Sequence, residues 1–168
     1  MNRTRKLIIT ALMVSLTAVG AQIVIPIGSV PVTMQIFMVF LSGMILGPVW
    51  GGMAQIVYLL LGLFGLPVFA MLTSGPGILA GPTGGFLLAF PVVAFLTGFE
   101  KPKQVILFRI TALFLLYMLG WFRLALFTGN GLTALITGVL PFIGFDFLKL
   151  WAAAFVYQQL KRRLLSVG

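Results

Sequence analysis

Apolar residues fill this chain in long runs, and polar or turn-forming residues break them at only a few places. Six runs approach the roughly 20 residues that a membrane-spanning helix needs: about 7–25, 32–47, 49–65, 83–99, 104–127 and 143–163. The second run is short. Pro48 and Gly51-Gly52 mark a tight turn into the third. A long uncharged segment with Pro67, Pro76 and Pro82 separates the third run from the fourth, and Pro91 predicts a kink within the fourth. Glu100-Lys101-Pro102-Lys103 is a charged turn. Thr128-Gly129-Asn130-Gly131 is another, and the LTALITGV that follows predicts a short outer helix ended by Gly138. The pattern is that of an all-α polytopic membrane protein with six transmembrane helices in a single domain over residues 1–168. No pair of matching halves, as in many inverted-repeat transporters, is visible.

Composition supports this reading. Of 168 residues, 61% are hydrophobic and 8% charged, with a mean hydropathy of +1.18. That leaves too few polar residues to surface a soluble domain. Cysteine and histidine are absent, which excludes disulfide frameworks, thiolate nucleophiles and imidazole metal sites, so neither a metal nor a cofactor is expected. A formal charge of +9 would suit nucleic acid, but the basic residues cluster at span ends, which points to membrane lipid instead. With the N-terminus inside, nine of the eleven Lys and Arg residues (3, 5, 6, 101, 103, 109, 161, 162 and 163) lie at or near the cytoplasmic face. The three outer connections, about 26–33, 66–82 and 128–142, carry no charge. Both termini are therefore expected in the cytoplasm. Arg123 and Lys149 are the exceptions, towards the outer side. The first run also has the basic start and small residues (Ala18, Gly20, Ala21) of a cleaved signal peptide, although it is long for one.

Several constellations could carry chemistry. Asp146 is one of two acidic residues in the chain, and Lys149 follows three positions later inside an apolar run. Ionisable groups at membrane depth are costly and rarely lack a task or a partner. Helical spacing puts both on one face near the start of the last span, where the helix dipole favours the carboxylate. They form either a self-neutralising pair or the polar head of a ligand cavity. In IPIGSVPVTMQ (25–35), two prolines fix an extended outer loop, and Thr33 and Gln35 enter the second span. Gln35 suits an amide or ureido group; a helix cap by Thr33 and an interhelical bond by Gln35 are the structural alternatives. GPTGG (81–85), with Thr83, closes the long outer segment. It is not a phosphate loop, because no Gly-Lys-Ser/Thr follows. Tyr58, Phe69, Phe86 and Trp121 are candidates for an apolar wall, and Arg123 for holding an anionic ligand or facing headgroups. Ala11, Ser15 and Ala18 share a stripe of the first span, and Gly43, Gly47 and Gly51 run at four-residue spacing. Such stripes serve internal packing or the docking of another membrane subunit. An intramembrane enzyme would need a dyad such as Ser29 or Ser74 with Lys149, and the chain is read as no enzyme.

Together these motifs resemble the BioY family, the biotin-binding S-components of energy-coupling factor (ECF) transporters. The resemblance is carried by IPIGSVPVTMQ (25–35), LGPVWGG (46–52), YLLLGLFGLPVFA (58–70), GPTGGFLLAF (81–90), YMLGW (117–121) and GVLPFIGFDFLK (138–149), over about residues 8–163. It implies a six-helix S-component of a prokaryotic plasma membrane that captures biotin from outside. Delivery inward would need an ECF transmembrane coupling subunit and two ATPase subunits. Thr33 and Gln35 match the family's VPVT-x-Q segment, and Asp146 and Lys149 its D-x-x-K element, associated with biotin binding. Tyr58, Thr83, Phe86 and Arg123 complete the expected ligand-binding set, and the stripe Ala11, Ser15, Ala18 looks like the face that docks the coupling subunit. The chain departs from the family pattern in three places. Gly144-Phe145 stands where Pro-Gly is expected, Phe86 where a tyrosine is expected, and MLTSGPGIL (71–79) where a glycine-rich stretch is expected. Two alternatives remain open, an S-component for another vitamin and a ligand-free structural subunit.

Overall fold

The computed structural model describes residues 2–25 and 31–166. The element order is α1 (Arg3–Gln22), β1 (Val24–Ile25), β2 (Val32–Thr33), α2 (Gln35–Leu46), α3 (Pro48–Leu63), a 3-10 turn (Ala70–Leu72), α4 (Pro76–Ala80), α5 (Gly84–Thr97), α6 (Val105–Thr128), α7 (Gly131–Gly138) and α8 (Leu140–Ser166). The strands form a two-residue antiparallel pair, Val24 opposite Thr33 and Ile25 opposite Val32. This pair closes the expected extended loop; Pro26 to Val30, including Ser29, lie outside the described residues.

Local chemistry sets the helix ends. The Asn2 side chain caps α1 by accepting from the Arg5 N–H at 3.0 Å. Gly47, at φ +78°, makes the turn between α2 and α3, and Pro48 opens α3 where its missing N–H costs nothing. The side chain of Asn130 accepts from the N–H groups of Leu132 and Thr133 and so starts the predicted outer helix, α7. The long outer segment is not plain loop: it contains the 3-10 turn and α4. At Pro91 the helix α5 continues without a break.

α1, α6 and α8 are long and apolar enough to cross a membrane. α2, α3 and α5 are apolar but shorter, at 12, 16 and 14 residues. At 1.5 Å per residue they span about 18–24 Å, less than a hydrocarbon core of about 30 Å. Of the short helices, α2 is the inner one, while α3 and α5 each leave an apolar face exposed. α2 touches α1, α3, α5 and α8, and most of its residues are buried. A helix apolar on every side belongs in such a place. The core joins Met13, Val39, Phe40, Tyr58, Phe69, Val93 and Leu113. The glycine stripe packs internally: a Cβ on Gly43 would strike the Ala94 carbonyl of α5, and one on Gly51 would strike Gly43 itself. A buried polar contact accompanies this packing. Gln55 of α3 donates to Ser42 of α2 at 3.0 Å and to Thr17 of α1 at 3.3 Å.

Candidate functional site

A cavity of about 190 Å³ lies where β2, the 69–73 segment and the first turns of α5 and α8 converge. Its polar head is on α8. Lys149 Nζ donates to Asp146 Oδ1 at 2.8 Å, and both residues are at most 9% exposed. From α6, the Tyr117 hydroxyl donates to Asp146 Oδ2 at 2.9 Å. The carboxylate thus has a donor on each oxygen, and Lys149 keeps further N–H groups for a ligand. α8 begins at Leu140, so Asp146 sits in its second turn. The helix dipole falls off within the first turn. The carboxylate is therefore held by Lys149 and Tyr117, and not by the helix dipole that the sequence leads one to expect.

Opposite this head, Gln35 opens α2. Its Nε2 donates to the Tyr58 hydroxyl at 2.6 Å, and that hydroxyl donates to the Val68 carbonyl at 2.8 Å. Gln35 therefore makes an interhelical bond and lines the cavity as well. Thr33 and Thr83 also line it, and neither caps a helix through its side chain. Phe69, Phe86, Phe90 and Phe142 supply much of the apolar wall. Two glycines make room for two of these rings. A Cβ on Gly62 would fall 2.1 Å from Phe69 Cζ, and one on Gly120 would fall 2.1 Å from Phe86 Cε1.

Other expected residues lie elsewhere. Tyr58 stands behind the wall, fully buried, with its ring edge-on to Phe69 at 5.6 Å. Trp121 is 37% exposed and donates to the Gly131 carbonyl at 2.9 Å, outside the lining. Arg123 is outside it too. Its guanidinium donates to the Ala80 and Gly81 carbonyls and sits over the Phe127 ring, bracing the GPTGG segment. Ser74 is not a wall residue. On α1, Ala11 and Ser15 are exposed, while Ala18 is half-buried against the core. Tyr117 was missed among the candidate site residues. The signal was present: a tyrosine hydroxyl within an apolar helix needs a partner, and Asp146 is one of few available.

An apolar helix bundle enclosing an amphipathic cavity with an ionic head is the architecture of an integral membrane protein built around a small molecule. The chain belongs to the BioY family, whose model matches residues 1–166. It is 41% identical to the probable biotin transporter BioY of Pyrococcus horikoshii over 159 residues, covering 95% of this chain and 98% of that one. It is 40% identical to the biotin transporter BioY of Thermotoga maritima over 163 residues, covering 94% and 96%. Its fold is similar to a crystal structure of the S-component for biotin from an ECF-type ABC transporter, with a TM-score of 0.86 at 24% identity, covering 96% of this chain and 95% of that one.

Proposed function

We propose that this protein is a biotin-binding S-component: it captures biotin from the extracellular side and releases it inward under the control of an ATP-driven ECF module. The observation that carries this is the Asp146–Lys149 pair on the wall of an otherwise largely apolar cavity. Biotin matches that distribution, with a ureido ring bearing two N–H donors and a carbonyl acceptor, an apolar thiophane and a valerate carboxylate. Asp146 accepts from a ureido N–H, and Lys149 donates to an anionic or carbonyl oxygen. Gln35, Thr33 and Thr83 add polar contacts, while Phe69 and Phe86 bury the thiophane.

Family membership supports the ligand, and the charge distribution supports the orientation, with both termini cytoplasmic and the cavity towards the outside. The protein acts as a binder and not as an enzyme. The chain has no Gly-Lys-Ser/Thr phosphate loop, so ATP is hydrolysed by two partner ATPases. Ala11 and Ser15, exposed on α1, offer the small-residue face for the transmembrane coupling subunit.

Labelled biotin binding to the purified chain, with riboflavin and thiamine as competitors, tests this reading. Biotin alone should compete. Asp146→Ala and Lys149→Ala should each weaken binding by about tenfold or more, since a charge-assisted hydrogen bond contributes about 1.5–3 kcal/mol. Each change also leaves the opposite charge buried and unpaired. Wild-type affinity in both variants defeats the assignment.

A further inference from the structure

A second cleft lies at the opposite, basic end of the bundle. It encloses about 220 Å³ and is lined by Glu100, Val105, Arg109, Tyr157, Gln158 and Lys161. Tyr157 is eleven residues beyond Asp146 on α8, about 16 Å along the helix axis, so this cleft is separate from the first cavity. Lys161 Nζ meets Glu100 Oε2 at 2.9 Å and lies over the Tyr157 ring. That contact uses the only carboxylate lining the cleft. Arg109 is left with no ion pair among the described residues, and its buried Nε has no hydrogen-bond partner among them.

The Glu100 carboxylate acts on Arg109 from beyond ion-pair distance, and a half-buried guanidinium within a membrane helix gains from a closer anion. Arg109 stands four residues into α6, about 6 Å from its start, and so close to one end of a helix long and apolar enough to cross a membrane. Lys161 adds a second cation to the lining, and the exposed Lys101, Lys103 and Arg162 adjoin lining residues in sequence. The adjoining stripe of α6 is apolar and open and runs on past Arg109: Ile106 is 70%, Ile110 49% and Phe114 63% exposed. A ligand reaching Arg109 therefore meets cations at its head and bilayer-facing side chains below. A planar guanidinium fork matches phosphate oxygens, and basic pockets between membrane helices suit acidic headgroups.

We propose that the α6–α8 cleft binds the phosphate of an anionic phospholipid, with Arg109 as its principal contact and Lys161, Tyr157 and Gln158 at the rim. An acidic protein segment offers similar charge but does not account for the apolar surface that continues from the cleft.

The test is native mass spectrometry of the full chain with phosphatidylglycerol or phosphatidylcholine. Wild type should retain phosphatidylglycerol about fivefold better, and Arg109→Gln should abolish that preference, as expected for the loss of one charge-assisted contact. If Arg109→Gln fails to fold, the double variant Gln158→Ala with Lys161→Gln, both at exposed positions, should lower the preference about threefold. Labelled biotin binding should be unchanged in these variants, which keeps this test apart from that of the biotin site. Equal retention of the two lipids by wild type overturns the proposal, as does undiminished preference in the folded variants. Displacement of the lipid by millimolar inorganic phosphate reassigns the cleft to a free anion, and displacement by an acidic peptide reassigns it to a protein partner. Either result overturns the lipid assignment.

Discussion

Asp146 is held by groups from two helices, Lys149 on its own and Tyr117 on α6. Tyr117→Phe removes one donor while leaving the ring in place. The carboxylate then loses a donor that orients it, so biotin affinity should fall roughly tenfold, while loss of the internal hydrogen bond lowers the melting temperature in detergent by roughly a few degrees. Unchanged binding by isothermal titration would remove Tyr117 from the site. The ionic pair was legible in the sequence because charges in apolar runs are scarce and helical spacing brings positions three apart together. Tyr117 was less legible, because its partner lies 29 residues away and the rotation of α6 against α8 decides whether they meet. For the same want of rotation, sequence leaves Trp121 and Arg123 open between the cavity and the surface; the bundle turns them towards Gly131 and the Ala80–Gly81 carbonyls.

At the scale of elements, one side chain ties α1 to the segment over the cavity. Gln22 Nε2 donates to the Phe69 carbonyl at 3.0 Å, and its Oε1 accepts from the Leu72 N–H at 2.9 Å. The segment needs such a tie, because Met71 and Leu72 both hold positive φ, at 57° and 56°. Side-chain-bearing residues hold that conformation at a cost of order 1–3 kcal/mol each. Gln22→Ala should loosen the cover and speed biotin dissociation by about threefold or more, for two neutral hydrogen bonds lost. Stopped-flow displacement of labelled biotin measures this, and an unaltered off-rate would show that the tie does not hold the cover shut. Gly62→Leu should also weaken biotin binding, by about tenfold or more, because the new side chain would displace the Phe69 ring from the cavity wall. The helices themselves were legible from apolar runs and Pro-Gly breaks. The structure within 66–82 was not, since its folding depends on contacts such as Gln22 to Phe69, 47 residues apart.

At the scale of the molecule, charge is sorted to one end: the Glu100–Lys161 pair joins the α5–α6 turn to the far end of α8. The chain has no cysteine, so a single introduced thiol reports orientation without background. Lys103→Cys should react with a membrane-impermeant maleimide in inverted vesicles and not in intact cells; labelling in intact cells would reverse the orientation. The ion pair of the binding cavity has a wider consequence. Plus and minus 2.8 Å apart cancel as seen by the transmembrane potential, which acts on any net charge at about 2.3 kcal/mol per 100 mV. Any step that carries this cavity across the bilayer moves no electricity on the pair's account. Uptake into voltage-clamped proteoliposomes should therefore respond to polarisation through the cargo's own carboxylate and through Arg123, which meets carbonyls and a ring, and not through the pair.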